Sequence, residues 1–255
     1  MKVLECEAII KQYKLYDHVV TAVNRASLTV EEGEFIAITG ESGSGKSTFL
    51  HIAAGLDAPD SGSVRLLGKD IVNMKADELC RFRGKHTGFV FQSHRLVPYL
   101  TALENILLPI SASGGDQGRV EHRLELLIDR LSLGDRLNHL PRELSGGQQQ
   151  RVAIARALIH YPMVLFADEP TGNLDRKNAE DVTSLLISLR DELKQTLVIV
   201  THDETTSNYP IFRYTGNDPR ETLVSNAPTG GDDSGSGSGG RGGSMDIWGG
   251  FAPDP

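Results

Sequence analysis

Gly40-Glu41-Ser42-Gly43-Ser44-Gly45-Lys46-Ser47-Thr48 is the stretch that decides the fold. It follows a short apolar run at 35–38 and precedes a helix expected over 47–54. A Gly-rich loop set between a buried strand and a helix, and ending in Lys-Ser, is the phosphate-cradling P-loop pattern in its required context. The glycines let the chain turn so that successive N–H groups point inward at phosphate oxygens. The start of the helix adds its positive dipole end. In such a loop Lys46 is expected to reach the β- and γ-phosphates, and the Ser47 hydroxyl to ligate Mg²⁺.

Working outward from the loop, apolar runs alternate with helix-period segments. The runs 35–38, 88–91, 164–167 and 197–200 are nearly continuous, as in strands buried on both faces of a parallel sheet. Leu124, Leu127, Ile128 and Leu131 fall on one helical face, as do Val182, Leu185, Leu186, Leu189 and Leu193. Thr101-Ala-Leu-Glu104 is a capping box that opens a further helix. Residues 3–13 and 19–30 precede the first helix and read as strands. The resulting expectation is one α/β domain with a mostly parallel core sheet.

The second chemical element is Met163-Val-Leu-Phe-Ala-Asp168-Glu169, an apolar strand that ends in two carboxylates. At the carboxyl edge of the sheet that carries the P-loop, Asp168 is placed to hold Mg²⁺ through water. Glu169 is placed to polarise an attacking water as general base. A solvated strand end would explain one such pair alone; the pairing with a P-loop favours catalysis. The third element is Leu144-Ser145-Gly146-Gly147-Gln148, ahead of a helix expected over 149–158. Ser145 is a helix cap, and Gly146 and Gly147 expose backbone N–H groups at a positive helix end, which makes a second anion site.

With this Leu-Ser-Gly-Gly-Gln string the chain resembles the ATP-binding-cassette (ABC) ATPases over roughly residues 3–203. The resemblance implies a P-loop NTPase fold with an N-terminal antiparallel β subdomain and a helical subdomain carrying the signature. It implies ATP and Mg²⁺, and a head-to-tail dimer in which residues 145–148 of one copy face the γ-phosphate held by the other. Gln92 matches the glutamine that ligates Mg²⁺ and senses the membrane partner. Gly172-Asn173-Leu174-Asp175 matches the loop that contacts the opposite subunit. His202 matches the histidine at the γ-phosphate, and Tyr13 the aromatic that stacks on adenine, with Tyr16 only three residues away. Asp168-Glu-Pro-Thr-Gly-Asn-Leu-Asp175, Leu103-Glu-Asn-Ile106 and Ala54-Gly-Leu-Asp57 resemble the lipoprotein-releasing and macrolide-exporter branch. That branch implies a separately encoded integral membrane permease as partner, engaged near residues 92–108 through members of the set Leu96, Val97, Tyr99, Leu100, Ile106 and Leu107. Export or release is the direction it suggests.

Composition bounds the rest. The chain has 255 residues, 39% hydrophobic and 24% charged, enough to bury a real core. A net charge of −8 argues against a large nucleic-acid-binding face, so no nucleic-acid partner is expected. Cys6 and Cys80 are too few for a disulfide scaffold. No apolar stretch nears the ~20 residues of a spanning helix, and Lys2, Glu5 and Glu7 do not suit a signal peptide. A cytoplasmic protein, peripheral on the inner membrane face through its permease, is the expectation. Non-transport ABC ATPases carry coiled-coil or zinc insertions or a second cassette, and none of these is visible here. After His202 the family's next helix has little room and Pro210 discourages it, which keeps open a regulatory subunit impaired by an altered end over 203–226. There, 211–214 and 222–225 are candidates to pair around the turn residues 216–219. The domain is expected to span 1–226. Residues 227–255 are rich in Gly, Ser, Asp and Pro and are expected to be disordered, with Trp248 in a short apolar cluster.

Overall fold

A computed structural model describes residues 1–16, 18–113, 117–201 and 211–213. His202, the remainder of 203–226 and the 227–255 tail lie outside the described residues. Two long strands, β1 (Lys2–Leu15) and β2 (His18–Glu31), form an antiparallel hairpin. With β4 (Ser61–Leu66) and β5 (Lys69–Asp70) they make a four-stranded sheet of order β2-β1-β4-β5. The second sheet contains β3 (Phe35–Thr39), β6 (Thr87–Val90), β7 (Val164–Asp168), β8 (Thr196–Val200) and β9 (Ile211–Arg213). Its order is β6-β7-β8-β3-β9, and every neighbouring pair is parallel. The helices are α1 (Lys46–Ala53), α2 (Ala76–His86), α3 (Ala102–Ser113), α4 (Gln117–Arg130), α5 (Gly146–Leu158) and α6 (Arg176–Leu193).

The parallel sheet is buried on both faces, which explains its unbroken apolar strands. Ile36, Ile38, Val164, Phe166, Val198 and Val200 pack with α1 and the antiparallel sheet. The alternate residues Phe35, Ala37, Leu165, Ala167, Leu197 and Ile199 pack into a second cluster with residues of α3, α4, α5 and α6. Successive strand residues point to opposite faces, so each face receives every second side chain. Because the strands are parallel, the carboxyl ends of β3, β6, β7 and β8 lie along one edge. That edge is where open α/β sheets place their ligands.

Helix α5 differs from the sequence expectation at its start. Helix α5 starts at Gly146 rather than at 149, because Ser145 caps it and the two glycines form its first turn. Ile211–Arg213 pairs in parallel with β3, Ala37 opposite Ile211, and extends the core sheet. The residues 222–225 expected as its hairpin mate lie outside the described residues. Among the described residues no helix is long and apolar enough to cross a membrane.

Candidate active site

The loop after β3 turns through Gly40, Gly43 and Gly45, at φ 149°, 77° and 102°. Gly45 is the N-cap of α1 and offers no side chain to its first turn, so the N–H groups there are left for another acceptor. Glu41 and Ser42 are exposed, and Thr48 is partly buried. The Ser44 hydroxyl is buried without a protein partner. Lys46 is only 4% exposed, and its Nζ donates to the Gly40 carbonyl at 3.0 Å and the Glu41 carbonyl at 2.6 Å. The loop therefore holds its own ammonium against it, a charge suited to phosphate.

Across β8, the end of β7 delivers Asp168 to the start of α1. The Ser47 hydroxyl donates to Asp168 Oδ1 at 2.7 Å. Asp168 Oδ2 lies 3.0 Å from His51 Nε2, one turn further along α1. His51 was not legible as a site residue; its only signal is its i+4 spacing from Ser47 on the same helix face. Glu169 follows at φ +42°, a left-handed conformation uncommon for a non-glycine residue, and its N–H donates to the Val200 carbonyl at 2.9 Å. The strand thus ends with its last two carboxylates diverging.

Gln92 is exposed after β6, and the loop of residues 172–175 reaches it. Asn173 Nδ2 donates to the Gln92 carbonyl at 3.0 Å. A Cβ placed on Gly172 would stand 2.7 Å from Gln92 Nε2 and 3.3 Å from Glu169 Oε2. Those two side chains therefore meet around a position that only glycine leaves open. The loop beyond Gln92 carries His94 and Arg95 at φ 58° and 48° and is clamped by two helices. Arg156 of α5 donates to the carbonyls of His94 and Arg95, each at 2.7 Å, and Gln150 of α5 contacts the His94 ring. Asn105 of α3, fully buried, accepts from the Val97 N–H at 2.8 Å and donates to the Leu100 carbonyl at 2.9 Å.

The signature stands apart from these groups. Ser145 and Gly146 are exposed, and Gly147 is buried against Asn178. Gln148 N–H donates to Ser145 Oγ at 3.3 Å, and Ser145 N–H donates to Gln148 Oε1 at 2.9 Å. This capping box spends both side chains and the Gln148 N–H within the chain, and leaves Gly146 exposed at the start of α5. Asp175 caps α6, accepting from the Asn178 N–H at 3.2 Å. The Asn178 side-chain amide, which also donates to it, and then the backbone N–H hold the Asp175 carboxyl below its ordinary pKa. Tyr13, on β1, is 40% exposed, and its hydroxyl donates to Asp57 Oδ2 at 2.9 Å.

The apolar residues expected near the docking groove divide between core and surface. Ile106 is fully buried, Leu96 and Leu107 pack against the core, and Tyr99 stands 79% exposed. A groove of about 300 Å³ is formed by Leu56, Phe89, Phe91, Pro109 and Ala157, with Arg83, Arg156 and His160 among its polar residues. Helix α3 turns its apolar face inward onto α5, so the end of β6 and the end of α1 supply the open surface.

Comparison with known proteins agrees with this geometry. The pattern of the ABC transporter family matches residues 23–172. The chain is 50% identical over 187 residues to an ABC transporter ATP-binding protein, YbbA, of Escherichia coli (strain K12), 73% of this chain and 82% of that one. It is 49% identical over 177 residues to the lipoprotein-releasing system ATP-binding protein LolD of Bacteroides thetaiotaomicron, 69% of this chain and 81% of the relative. The dimeric ATP-binding cassette MJ0796, in a post-hydrolysis state bound to ADP and Pi, superposes with a TM-score of 0.77 at 38% identity. That match covers 87% of this chain and 98% of the other.

Proposed function

This chain belongs to the ABC transporter family as its ATP-binding, ATP-hydrolysing subunit, and from that premise we propose that it drives an integral membrane permease in lipoprotein or lipid release. Residues 1–226 form the cassette in this reading. The observation that carries the chemistry is the 2.7 Å contact between Ser47 and Asp168, which joins the phosphate loop to the carboxylate strand.

A hydroxyl, a carboxylate and the nearby Gln92 amide are hard oxygen donors, the set that suits Mg²⁺. Ser47, Asp168 and Gln92 would hold that ion, which neutralises charge on the β- and γ-phosphates when bound. Residues 40–48 cradle the phosphates through their N–H groups, and Lys46 turns its ammonium from the loop carbonyls to the phosphate oxygens. Tyr13 stacks on adenine. Glu169 takes the proton of the attacking water, and the Gln92 amide orients that water beside it. His202 completes the γ-phosphate contacts. The exposed start of α5, at Ser145, Gly146, Gly147 and Gln148, faces the nucleotide of a second copy in a head-to-tail dimer. The groove at Phe89, Phe91 and Leu56 receives a permease segment. With Arg83, Arg156 and His160 at its wall, it suits an apolar helix carrying an acidic residue. The assembly places the chain on the cytoplasmic face of the membrane.

Glu169→Gln tests this reading. The substitution keeps backbone and volume and removes the base. Mg²⁺-dependent ATP turnover is expected to fall by at least about 10²-fold, with ATP binding retained and an ATP-held dimer visible by light scattering. Turnover at the parent rate would refute the assignment.

A further inference from the structure

The turn that follows α1 is zipped onto the outer part of β1. Asp60 N–H donates to the Ile10 carbonyl at 2.8 Å, and Gln12 N–H donates to Asp60 Oδ2 at 2.6 Å. Lys11 Nζ donates to the Ala58 carbonyl at 2.6 Å and to Asp57 Oδ1 at 3.1 Å. The other oxygen of the same carboxylate accepts the Tyr13 hydroxyl at 2.9 Å. The Lys11 ammonium also lies 5.4 Å from the centroid of the Tyr13 ring. Asp57 is anchored in turn to α1, because the N–H groups of Leu56 and Asp57 both donate to the His51 carbonyl, at 2.8 and 3.3 Å. A continuous path of hydrogen bonds therefore runs from the helix that opens at Lys46 to the phenol of Tyr13.

A tyrosine on the edge of an exposed hairpin would otherwise sample several χ1 wells. Here its hydroxyl is tied, a cation lies near its ring, and the ring remains partly open to solvent. The protonation behaviour agrees with a tight contact. Burial first, and then Asp57, push the Tyr13 pKa up. Burial would raise the Asp57 pKa as well, but hydrogen bonds from Lys11, Tyr13 and the Ala58 N–H together hold it below the ordinary carboxylate value.

We propose that Asp57 is a positioning residue for base recognition: together with Lys11 it holds the Tyr13 ring, relative to the phosphate-binding helix, in the orientation that stacks on adenine. This rests on the reading of Tyr13 as the adenine-stacking residue. A ring already oriented loses little rotamer freedom when the base arrives, so the tether acts on affinity rather than on turnover.

The test is calorimetric titration of the full chain with Mg·ATP and with inorganic tripolyphosphate, which has phosphates but no base, alongside steady-state kinetics. Asp57→Ala and Tyr13→Phe both cut the tether, and Tyr13→Phe keeps the stacking ring. Each is expected to weaken ATP binding about three- to tenfold, the range set by one freed side chain. Asp57→Ala should leave tripolyphosphate affinity and kcat unchanged, so the effect appears in KM. The double variant should be no worse than Asp57→Ala alone. Asp57→Ala that leaves ATP affinity intact while Tyr13→Ala weakens it overturns the positioning role and leaves the adenine reading standing. Tyr13→Ala with unchanged ATP affinity overturns the adenine reading, and this proposal with it. Equal weakening of ATP and tripolyphosphate by Asp57→Ala would place its effect on the phosphate helix and refute the proposal. Tyr13→Phe provides the answer if Asp57→Ala does not fold.

Discussion

Gly172 shows how one missing side chain organises a site. The position is not forced into the left-handed region; its need for glycine comes from space alone. The atom a Cβ would strike first is the far end of Gln92, an exposed and flexible side chain. Gly172→Ala should therefore cost little stability and displace Gln92 from Glu169. The expected outcome is a melting temperature close to the parent's, with ATP turnover reduced about tenfold or more, since misplacing a catalytic group by about 1 Å costs that much. Parallel thermal melts and steady-state ATPase assays check it. Unchanged turnover would show that Gln92 and Glu169 need not meet. Glu169 carries a different kind of constraint. Its φ of +42° is held by the bond from its N–H to Val200 on the neighbouring strand, so β8 helps aim the carboxylate we propose as the base.

At the scale of elements, the signature helix α5 is the hub. Its start is capped by Ser145, its middle contacts His94 through Gln150, and Arg156 near its end holds two carbonyls of the loop after Gln92. Any rotation of α5 must therefore carry that loop with it. The helix also presses on β6. A Cβ on Gly88 would lie 2.2 Å from the Ala157 carbonyl oxygen, a backbone atom that cannot swing aside. Gly88→Ala should force strand and helix apart and cost about 1–3 kcal/mol of stability or more, the range for overpacking. A urea midpoint lowered with an unchanged slope is the expected signature. A midpoint equal to the parent's would mean that α5 and β6 are less tightly joined than the geometry requires.

For the whole molecule, the groove beside α3 is the surface we propose for a permease segment. It is built from three elements: the end of α1 at Leu56, the end of β6 at Phe89 and Phe91, and α3 at Pro109. The first follows the phosphate helix, and the second leads directly into Gln92. A helix seated there would touch both ends of the site without entering it. Leu56→Glu places a charge at an exposed lining position and should leave basal ATPase activity in place while abolishing co-purification with the permease. Retained co-purification would place the docking surface elsewhere.

The phosphate loop, the two carboxylates and the signature were legible because each works through local backbone geometry. A glycine turn, a strand end and a helix cap are specified within a few residues, and so is the chemistry they present. The parallel sheet was legible too, since burial on both faces writes itself as unbroken apolar runs. What the string of residues left open was neighbourhood. Periodicity tells which face of a helix is apolar, but not which surface covers it, so Ile106 and Leu107 could not be told from groove residues until α3 was seen packed on α5. The order β6-β7-β8-β3-β9 was likewise a tertiary outcome, and it alone carries Asp168 past β8 to Ser47 and His51. Asp57 had no signal of its own as a partner for Tyr13. Its carboxylate acquires that role only because the turn after α1 folds back on β1, where hydrogen bonds between residues more than 40 positions apart decide which side chains meet.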